Sequence, residues 1–356
     1  MDNLYLANDK NCQKTVSFLM TKERCGLSGL WLLGLVWLLS SQMVSADIIR
    51  SQTIQLHKGW NAIFLAVDPT NASPADCFRG TPVTMAAAFT GADKSIQFVQ
   101  DKLSVNQQNG WDVWYAPTRA DGFLTSVFSL VGNKPYLLYA ESDFTLSITG
   151  NVVLGAVNWK PNSFTLTGFC LDDVSPPTFD QFFAGSPQHH PYRIYRLIND
   201  TWVKVDSFQT TQMRSGEAFW IYCVGSSDYQ GPLRVKVPVG QALLLQGGNR
   251  SGVLLQNNSP NPLGVHLQNV SSSAQLPMAY VLRAVTATNV QAAAYDLPDN
   301  YSLPSFNAGE KRGIWLTLRP ERMNADAQTG LLKITTDLGT QCWLPVSANR
   351  STQSSN

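Results

Sequence analysis

The cysteines are the first residues in this chain whose type and spacing suggest covalent chemistry. Cys77, Cys170, Cys223 and Cys342 follow a leader-like N-terminal segment, and disulfides persist in the oxidising compartments to which leaders direct proteins. Four cysteines allow three pairings. Cys170 and Cys223 lie in the first and last strands predicted for one β-rich unit, so we expect this bridge first, stabilising by about 3–4 kcal/mol. The alternative is four separate thiols, each buried as a small apolar side chain.

Metal-binding patterns are weak. His189 and His190 are adjacent, but their neighbours are not ligands, and neither a Cys-x-x-Cys nor a His-Glu-x-x-His spacing occurs. We interpret the pair as part of an exposed loop. Asp172 and Asp173 lack the alternating carboxylates of a calcium loop and predict a turn. The sequence therefore predicts neither a metal site nor a cofactor.

Catalytic motifs are equally scarce. After residue 46 the chain has no Gly-x-Ser-x-Gly, and no His with a carboxylate orienter in a recognisable context. The glycines of residues 247–252 lack the Gly-Lys-Ser/Thr end of a phosphate loop and predict a hairpin turn. Two facing carboxylates of a glycosidase leave no motif in sequence order. A hydrolase is therefore the third hypothesis, behind two non-enzymatic ones.

Aromatic residues give the one positive indication of binding. Trp111, Trp114 and Tyr115 fall in one predicted strand and Trp202 in another, and alternate positions of a strand share a face. A flat row of exposed rings stacks on sugars or on the apolar surface of a partner. The alternative is that these rings pack in the core or pair across strands. Trp60, Phe64, Phe219 and Trp220 sit in the two most apolar strands and are assigned to packing.

Short strands are the elements that must position these residues. Two stretches, from Leu56 and from Trp159, share an order of features: an apolar strand, an Asp turn, a Ser-Pro pair, two further strands and an aromatic strand after a Gly turn. The correspondence pairs Ile96–Val99 with Ile194–Leu197. It also pairs Trp111–Tyr115 with Trp202–Val205. Short helical turns are predicted only after the Ser-Pro pairs, at residues 75–78 and 179–183.

The residue pattern of the sequence changes after Pro232. Eight short strands recur up to Val346, split by Asn, Pro and Gly, which is typical of a β-sandwich of about one immunoglobulin domain in length. We therefore predict an all-β fold: two related β-rich repeat units, 47–151 and 152–231, then an immunoglobulin-like β-sandwich, 232–348, and a disordered tail, 349–356.

The N-terminal region predicts export. The apolar stretch Leu27–Leu39 follows Lys22 and Arg24 and runs into Val44-Ser45-Ala46, the order of a secretory signal peptide cleaved before Asp47. Translation starts at Met1 or Met20. An uncleaved membrane anchor is the alternative, although the apolar core is shorter than the ~20 residues needed to span a bilayer. We expect no membrane span after cleavage, and a periplasmic, surface or secreted location.

The net charge argues against nucleic acid and anionic membranes as partners. Residues 1–46 hold four Lys/Arg and three Asp/Glu of totals of 26 and 25, which leaves 22 of each in the mature part. A net charge of zero provides no electrostatic footprint for nucleic acid or for an anionic membrane.

Three phrases carry a family resemblance: residues 56–61 (Leu-His-Lys-Gly-Trp-Asn), 68–71 (Asp-Pro-Thr-Asn) and 214–222 (Arg-Ser-Gly-Glu-Ala-Phe-Trp-Ile-Tyr). They resemble the N-terminal region of uncharacterised secreted bacterial surface proteins, in which Gly-Trp-Asn β-repeats precede an immunoglobulin-like module. Relatives often add a laminin-G-like or concanavalin-like domain, which we do not expect in this chain. The resemblance covers most of residues 54–348. It implies architecture, and it transfers no site residues.

The functional hypotheses follow from these patterns. The first is a secreted or cell-surface, non-enzymatic module for structure, adhesion or assembly, with a protein of the cell envelope or matrix as partner. The second is an extracellular polysaccharide-binding protein that uses Trp111, Trp114, Tyr115 and Trp202.

Overall fold

Strands dominate the protein, so the predicted all-β class is confirmed. Only two α-helices occur among the described residues, α1 (Pro74–Cys77) and α2 (Phe179–Phe183). The predicted leader, the predicted strand Ile96–Val99 and the end of the predicted tail lie outside the described residues. The computed structural model describes residues 48–91, 110–270, 276–285 and 290–350, which belong to one compact unit.

The described residues of the first half of the chain form three antiparallel sheets. A three-stranded sheet has the order β1-β7-β3, and two four-stranded sheets have the orders β2-β6-β4-β5 and β8-β11-β9-β10. The strands are β1 (Ile49–Leu56), β2 (Gly59–Leu65), β3 (Val67–Pro69), β4 (Val83–Phe89), β5 (Trp111–Tyr115), β6 (Lys134–Ala140), β7 (Phe144–Val152), β8 (Ser163–Gly168), β9 (Ile194–Ile198), β10 (Thr201–Lys204) and β11 (Ala218–Cys223).

The two four-stranded sheets share one topology. In each, the first strand pairs with the fourth, the fourth with the second, and the second with the third. We call them repeat sheet 1 (β2, β4, β5, β6) and repeat sheet 2 (β8, β9, β10, β11). The second strand of repeat sheet 1 is β4, whose run Ala86-Ala87-Ala88 lacks the β-branched and aromatic residues by which strands are recognised.

Each repeat sheet has one short helix between its first and second strands. Ser73 and Pro74 open α1, as the Ser-Pro pattern predicts. The opening of α2 differs from the prediction, because its N-cap is Thr178. Thr178 and Gln181 form a reciprocal capping box, so two otherwise unpaired backbone donors are satisfied.

The repeat sheets pack face to face over a shared aromatic core. Trp220 of β11 is fully buried there, with its ring centroid 5.1 Å from Phe89 and 6.2 Å from Trp202. Alternation along β11 sends Ala218 and Trp220 to this core and Phe219 to the opposite face. The packing role predicted for Phe64, Phe219 and Trp220 is confirmed, and Trp60 packs half-buried against the same core.

The outer faces of the repeat sheets are covered differently. The sheet β1-β7-β3 lies over repeat sheet 1, and Ile54, Leu138 and Leu146 are part of that core. Repeat sheet 2 is covered by α2 and by aromatic residues of its connections, among them Trp159 and Phe183.

The second half of the chain is a β-sandwich of two five-stranded sheets, so the predicted immunoglobulin-like sandwich is confirmed. The sheet orders are β12-β14-β19-β16-β17 and β13-β21-β20-β15-β18. The strands are β12 (Leu233–Lys236), β13 (Leu243–Gln246), β14 (Ser251–Asn257), β15 (Leu263–Val270), β16 (Met278–Val285), β17 (Val290–Asp296), β18 (Tyr301–Phe306), β19 (Lys311–Leu318), β20 (Ala327–Thr336) and β21 (Gln341–Asn349).

The chain enters the sandwich by crossing from one sheet to the other. It pairs antiparallel with β14 as β12, then parallel with β21 as β13. Residues 247–250 connect β13 of one sheet to β14 of the other, so the hairpin turn predicted there is wrong. At the other end, Asn349 belongs to β21 and Arg350 donates its backbone N–H to Asp326, so the predicted disordered tail is wrong at these two residues.

Several contacts of the described residues join the sandwich to the first half of the chain. Leu171 forms a β-bridge with Thr340, flanked by backbone hydrogen bonds from Gln341 to Cys170 and from Asp172 to Gly339. The guanidinium of Arg50 on β1 lies 4.3 Å from the ring centroid of Trp343 on β21. The module boundaries at 151/152 and 231/232 stay predictions.

Candidate functional site

The four aromatic residues predicted to bind a ligand do not form an exposed row. Trp114 and Tyr115 are buried on opposite faces of β5, Trp114 towards the β1-β7-β3 layer and Tyr115 towards the core between the repeat sheets. Trp111 and Trp202 are half-buried and pack against that same core. Trp111 lies edge-on to Phe89 at 5.1 Å. These rings therefore pack in or against the core, which is the alternative that the sequence left open.

The expected Cys170–Cys223 bridge is excluded by the strand register. β8 and β11 are antiparallel, Cys223 pairs with Ser163, and Cys170 lies beyond the opposite end of the same ladder. At about 3.4 Å per residue the two Cα atoms are on the order of 20 Å apart, whereas a disulfide requires roughly 7 Å or less. All four cysteines of the described residues are free thiols.

Cys170 has a different cysteine beside it. Cys170 and Cys342 both line a cavity of about 370 Å³ between the repeat sheets and the sandwich. Burial, and secondly the nearby Cys170, raises the pKa of the Cys342 thiol to about 12. Burial also raises the pKa of Cys170. Both groups are therefore neutral thiols at physiological pH, which makes them poor nucleophiles.

The histidine pair does not lie in an exposed loop, because His189 is buried. Its Nδ1 lies 2.6 Å from the Ser186 hydroxyl, and its ring centroid is 4.3 Å from that of Trp159. Burial, and secondly the neighbouring His190, lowers the pKa of His189 to about 4. A Ser–His pair activates a hydroxyl only where substrate can reach it. Ser186 is as buried as His189, so this pair serves packing.

Acidic residues form turns instead of an ion site. Asp172 Oδ1 accepts the backbone N–H groups of Val174 and Ser175, as predicted for a turn, and its Oδ2 accepts from Gln341 Nε2. Across the described residues no group of three His, Cys, Asp or Glu side chains is placed to hold a metal ion. Within the same residues no helix is long and apolar enough to cross a bilayer.

The surface that stands out is the connection between β5 and β6, residues 116–133, which we call the apolar loop. Four large apolar side chains point to solvent there: Phe123 is 84% exposed, Phe128 75%, Leu124 56% and Val131 47%. Single exposed apolar residues are ordinary, but four in nine consecutive positions are not. Large exposed apolar side chains concentrated in one connection are typical of an interaction site.

The apolar loop is held in one conformation. Val113 donates its backbone N–H to Ser126 Oγ at 2.9 Å and accepts from the backbone N–H of Ser126 at 2.7 Å. Tyr115 donates to Thr125 Oγ1 at 3.1 Å. Val127 and Leu130 are buried beneath the loop. These bonds also satisfy the outer edge of β5, so the exposed rings are displayed on a fixed backbone.

Repeat sheet 2 supplies a matched comparison. The equivalent connection, between β10 and β11, is residues 205–217, and its apolar Val205 and Met213 are buried. Its exposed residues are all polar or charged: Asp206, Ser207, Gln209, Thr210, Gln212 and Arg214. The topology therefore does not impose exposed apolar side chains at this position, and repeat sheet 1 alone of the two carries them.

Pattern reasoning missed the apolar loop. Phe123, Leu124, Val127, Phe128 and Leu130 alternate between solvent and core without the regular period of a strand or a helix. The available signal was the excess of large apolar residues in a connection, since connections run over the surface.

Comparisons with known proteins do not show a family for this chain. No family model matches it, and no curated protein matches. Among solved structures, a PapD-like domain of human CEP192 matches 33% of this chain and 84% of its own at 12% identity, with a TM-score of 0.22. The YadV chaperone matches 35% of this chain and 55% of its own at 11% identity, with a TM-score of 0.25. Escherichia coli alpha-2-macroglobulin matches 86% of this chain and 33% of its own at 10% identity, with a TM-score of 0.21. Likenesses at this level bear neither on activity nor on partners.

Proposed function

We propose that this chain is an exported, non-enzymatic assembly or adhesion module that binds a protein of the cell envelope or matrix through its apolar loop. The observation that carries the proposal is the exposure of Phe123, Leu124 and Phe128 on a backbone fixed from below. A preordered loop loses little conformational entropy on binding, so more of its apolar contact free energy is retained as affinity.

Two exposed phenylalanine rings can contribute free energy to binding. Moving one Phe side chain from water into a packed interface is worth about 1.5–3 kcal/mol. Phe123 and Phe128 forgo most of this in the isolated chain. Aromatic anchors of this type, clustered and ringed by less critical contacts, dominate the affinity of protein–protein interfaces.

The charges of the apolar loop favour a protein over a lipid surface. Its two charged residues, Arg119 and Asp121, form a bidentate pair at 2.8 and 2.9 Å. Membrane-binding segments combine apolar residues with unpaired Lys or Arg that attract anionic lipid, which this loop lacks. A neutral apolar patch fits the apolar patch of another protein.

The extracytoplasmic address is part of the same proposal. It is supported by the leader-like order of residues 22–46. Sequencing of the exported protein is expected to find Asp47 at the N-terminus. A mature chain that still contains Leu27 would show an uncleaved anchor instead.

The binding surface is tested with a pair of matched double variants. Phe123→Ser/Phe128→Ser removes both rings of the apolar loop, whereas Val174→Ser/Val239→Ser removes two apolar side chains that are 91% and 70% exposed elsewhere. Tagged wild type and variants are cross-linked to the envelope fraction of the producing organism, and captured proteins are identified by mass spectrometry. We expect one set of proteins to be retained by wild type and the valine variant and lost by the phenylalanine variant.

Affinity is then measured with the recombinant captured protein. The phenylalanine variant is expected to bind at least tenfold more weakly, with an unchanged urea midpoint, because the two rings leave the core untouched. Equal capture by all three proteins would overturn the proposal. So would wild-type binding to phosphatidylethanolamine/phosphatidylglycerol vesicles in the absence of any captured protein.

A further inference from the structure

A second concave site lies where repeat sheet 2 meets the sandwich. It is a pocket of about 580 Å³ with mostly polar walls. The outer face of the sheet β12-β14-β19 forms its floor through Arg234, Lys236, Gln256 and Lys311. The opposite wall comes from the connections of repeat sheet 2, including Gln188 and residues 227–229.

Strand register places three cations on this floor. Arg234 of β12 is directly opposite Gln256 of β14, which is directly opposite Lys311 of β19. Residues opposite each other in a sheet share a face, and so do residues two apart on one strand. Lys236 therefore lies on the same face as Arg234. With strands about 4.8 Å apart, Arg234 and Lys311 are separated by about 10 Å at Cα.

These charges are only partly compensated. Asp228 Oδ2 accepts from Arg234 Nη1 at 2.5 Å, and it is the single acidic residue that lines the pocket as described. The hydrogen bond from Arg234 lowers the pKa of Asp228, and the charge of Lys236 lowers it further. The lining therefore carries three cations against one anion. Clustered like charges repel each other, and a bound anion relieves that repulsion.

We infer that this basic pocket binds an acidic peptide segment, whose carboxylates contact Lys236 and Lys311 and replace Asp228 on Arg234. The ion pair with Asp228 shows that the guanidinium of Arg234 can bind a carboxylate in this position. The side chain of Asp228 is largely solvent-exposed, so a carboxylate of the peptide can displace it. The side-chain amides of Gln188 and Gln256 line the same pocket and can pair with a peptide backbone.

The walls disfavour a sugar as the occupant. Carbohydrate sites use an exposed ring on which the sugar stacks. The one aromatic residue in the lining, Tyr229, is buried, and its hydroxyl donates to the backbone oxygen of Phe182. This inference is independent of the apolar loop and concerns a different surface.

Isothermal titration with acetylated hexa-aspartate tests the pocket, with hexa-asparagine as the neutral control. Wild type is expected to bind hexa-aspartate, more weakly as NaCl is raised, and not hexa-asparagine. Lys236→Gln/Lys311→Gln is expected to lower the affinity about tenfold. Lys58→Gln/Lys134→Gln changes the net charge equally at two exposed lysines outside the pocket and should leave binding intact.

Three results would overturn the inference: no binding of hexa-aspartate, equal loss in both lysine variants, or binding of polygalacturonate in preference to the peptide. The last would assign the pocket to an acidic polysaccharide. Phe123→Ser/Phe128→Ser is expected to bind hexa-aspartate normally. The experiments can therefore reject the proposal for the basic pocket without rejecting the proposal for the apolar loop, and the reverse.

Discussion

Repeat sheets 1 and 2 have the same strand order but differ in what surrounds them. Repeat sheet 1 is covered by three strands and displays the apolar loop, whereas repeat sheet 2 is covered by α2 and an aromatic cluster and displays a polar loop at the equivalent place. The topology fixes where a connection runs. The residues in the connection decide whether it stabilises the fold or presents a surface.

Two different layers bury the outer apolar faces of the repeat sheets. Both faces of each repeat sheet are apolar, so each sheet needs a layer on the side away from its partner. Strands supply that layer over repeat sheet 1, with aliphatic residues such as Leu146. Phe179, Phe182, Phe183 and Trp159 supply it over repeat sheet 2.

The largest effect is expected where the two repeat sheets meet. Trp220→Ala leaves a cavity in the core they share and should lower the free energy of unfolding by about 4 kcal/mol, measured by urea denaturation. Trp202→Ala, at a half-buried ring of the same core, is the control and should cost clearly less. If Trp202→Ala costs as much as Trp220→Ala, the difference in burial between the two rings does not set the cost of removing them.

The aromatic cover of repeat sheet 2 should make the fold acid-sensitive. His189 has a pKa of about 4 in the folded protein, against 6.5 in the unfolded chain. Between these values the unfolded chain binds more protons, so stability is complete above pH 6.5 and falls as the pH is lowered towards 4. The loss approaches about 3 kcal/mol.

The measurement is the urea midpoint between pH 7.5 and 4 for wild type and His189→Gln. The variant should be less stable at pH 7.5 and show a flatter profile. Parallel profiles for the two proteins would remove His189 as the titrating group.

A smaller effect separates the two equivalent loops. Ser126→Ala removes the acceptor of the Val113 backbone N–H and should cost about 1 kcal/mol of unfolding free energy. Ser207→Ala, in the polar loop, changes an exposed side chain and should stay within about 0.5 kcal/mol of wild type. Equal losses would mean that the apolar loop is not pinned to β5 by this bond.

We expect no disulfide among the four described cysteines, and therefore no stabilisation by a disulfide. Denaturation in iodoacetamide without reductant should alkylate Cys77, Cys170, Cys223 and Cys342 completely, as read from intact mass. In the native state Cys342 should react slowly, because its pKa of about 12 leaves little thiolate at pH 8. Two cysteines that resist alkylation until reductant is added would show a bridge.

Sequence patterns predicted the fold better than the site, for physical reasons. Strands with β-branched and aromatic residues, such as β11 and β20, stand out from turns rich in Gly and Asn. β17 (Val290–Asp296), with three consecutive alanines, and β18 (Tyr301–Phe306), with an internal proline, do not, and both were missed. Both are edge strands, where pairing constrains sequence least.

The candidate site depends on which large apolar residues are exposed to solvent. The order of residues along the chain does not predict that exposure. Trp114 and Phe123 are both large apolar residues near one end of β5, yet the first is buried and the second is almost fully exposed. The Cys170–Cys223 expectation failed for a related reason. Membership of neighbouring strands says nothing about position along the ladder until the register is known.

The contact of Arg50 with Trp343 ties the first strand of the described chain to its last. A polypeptide that emerges from a ribosome or a translocon N-terminus first cannot make this contact until nearly all of it has emerged. Loop closure over such a separation is slow, so final closure of the fold should follow completion of the chain. Before then β1 can already pair with β7 and pack against repeat sheet 1.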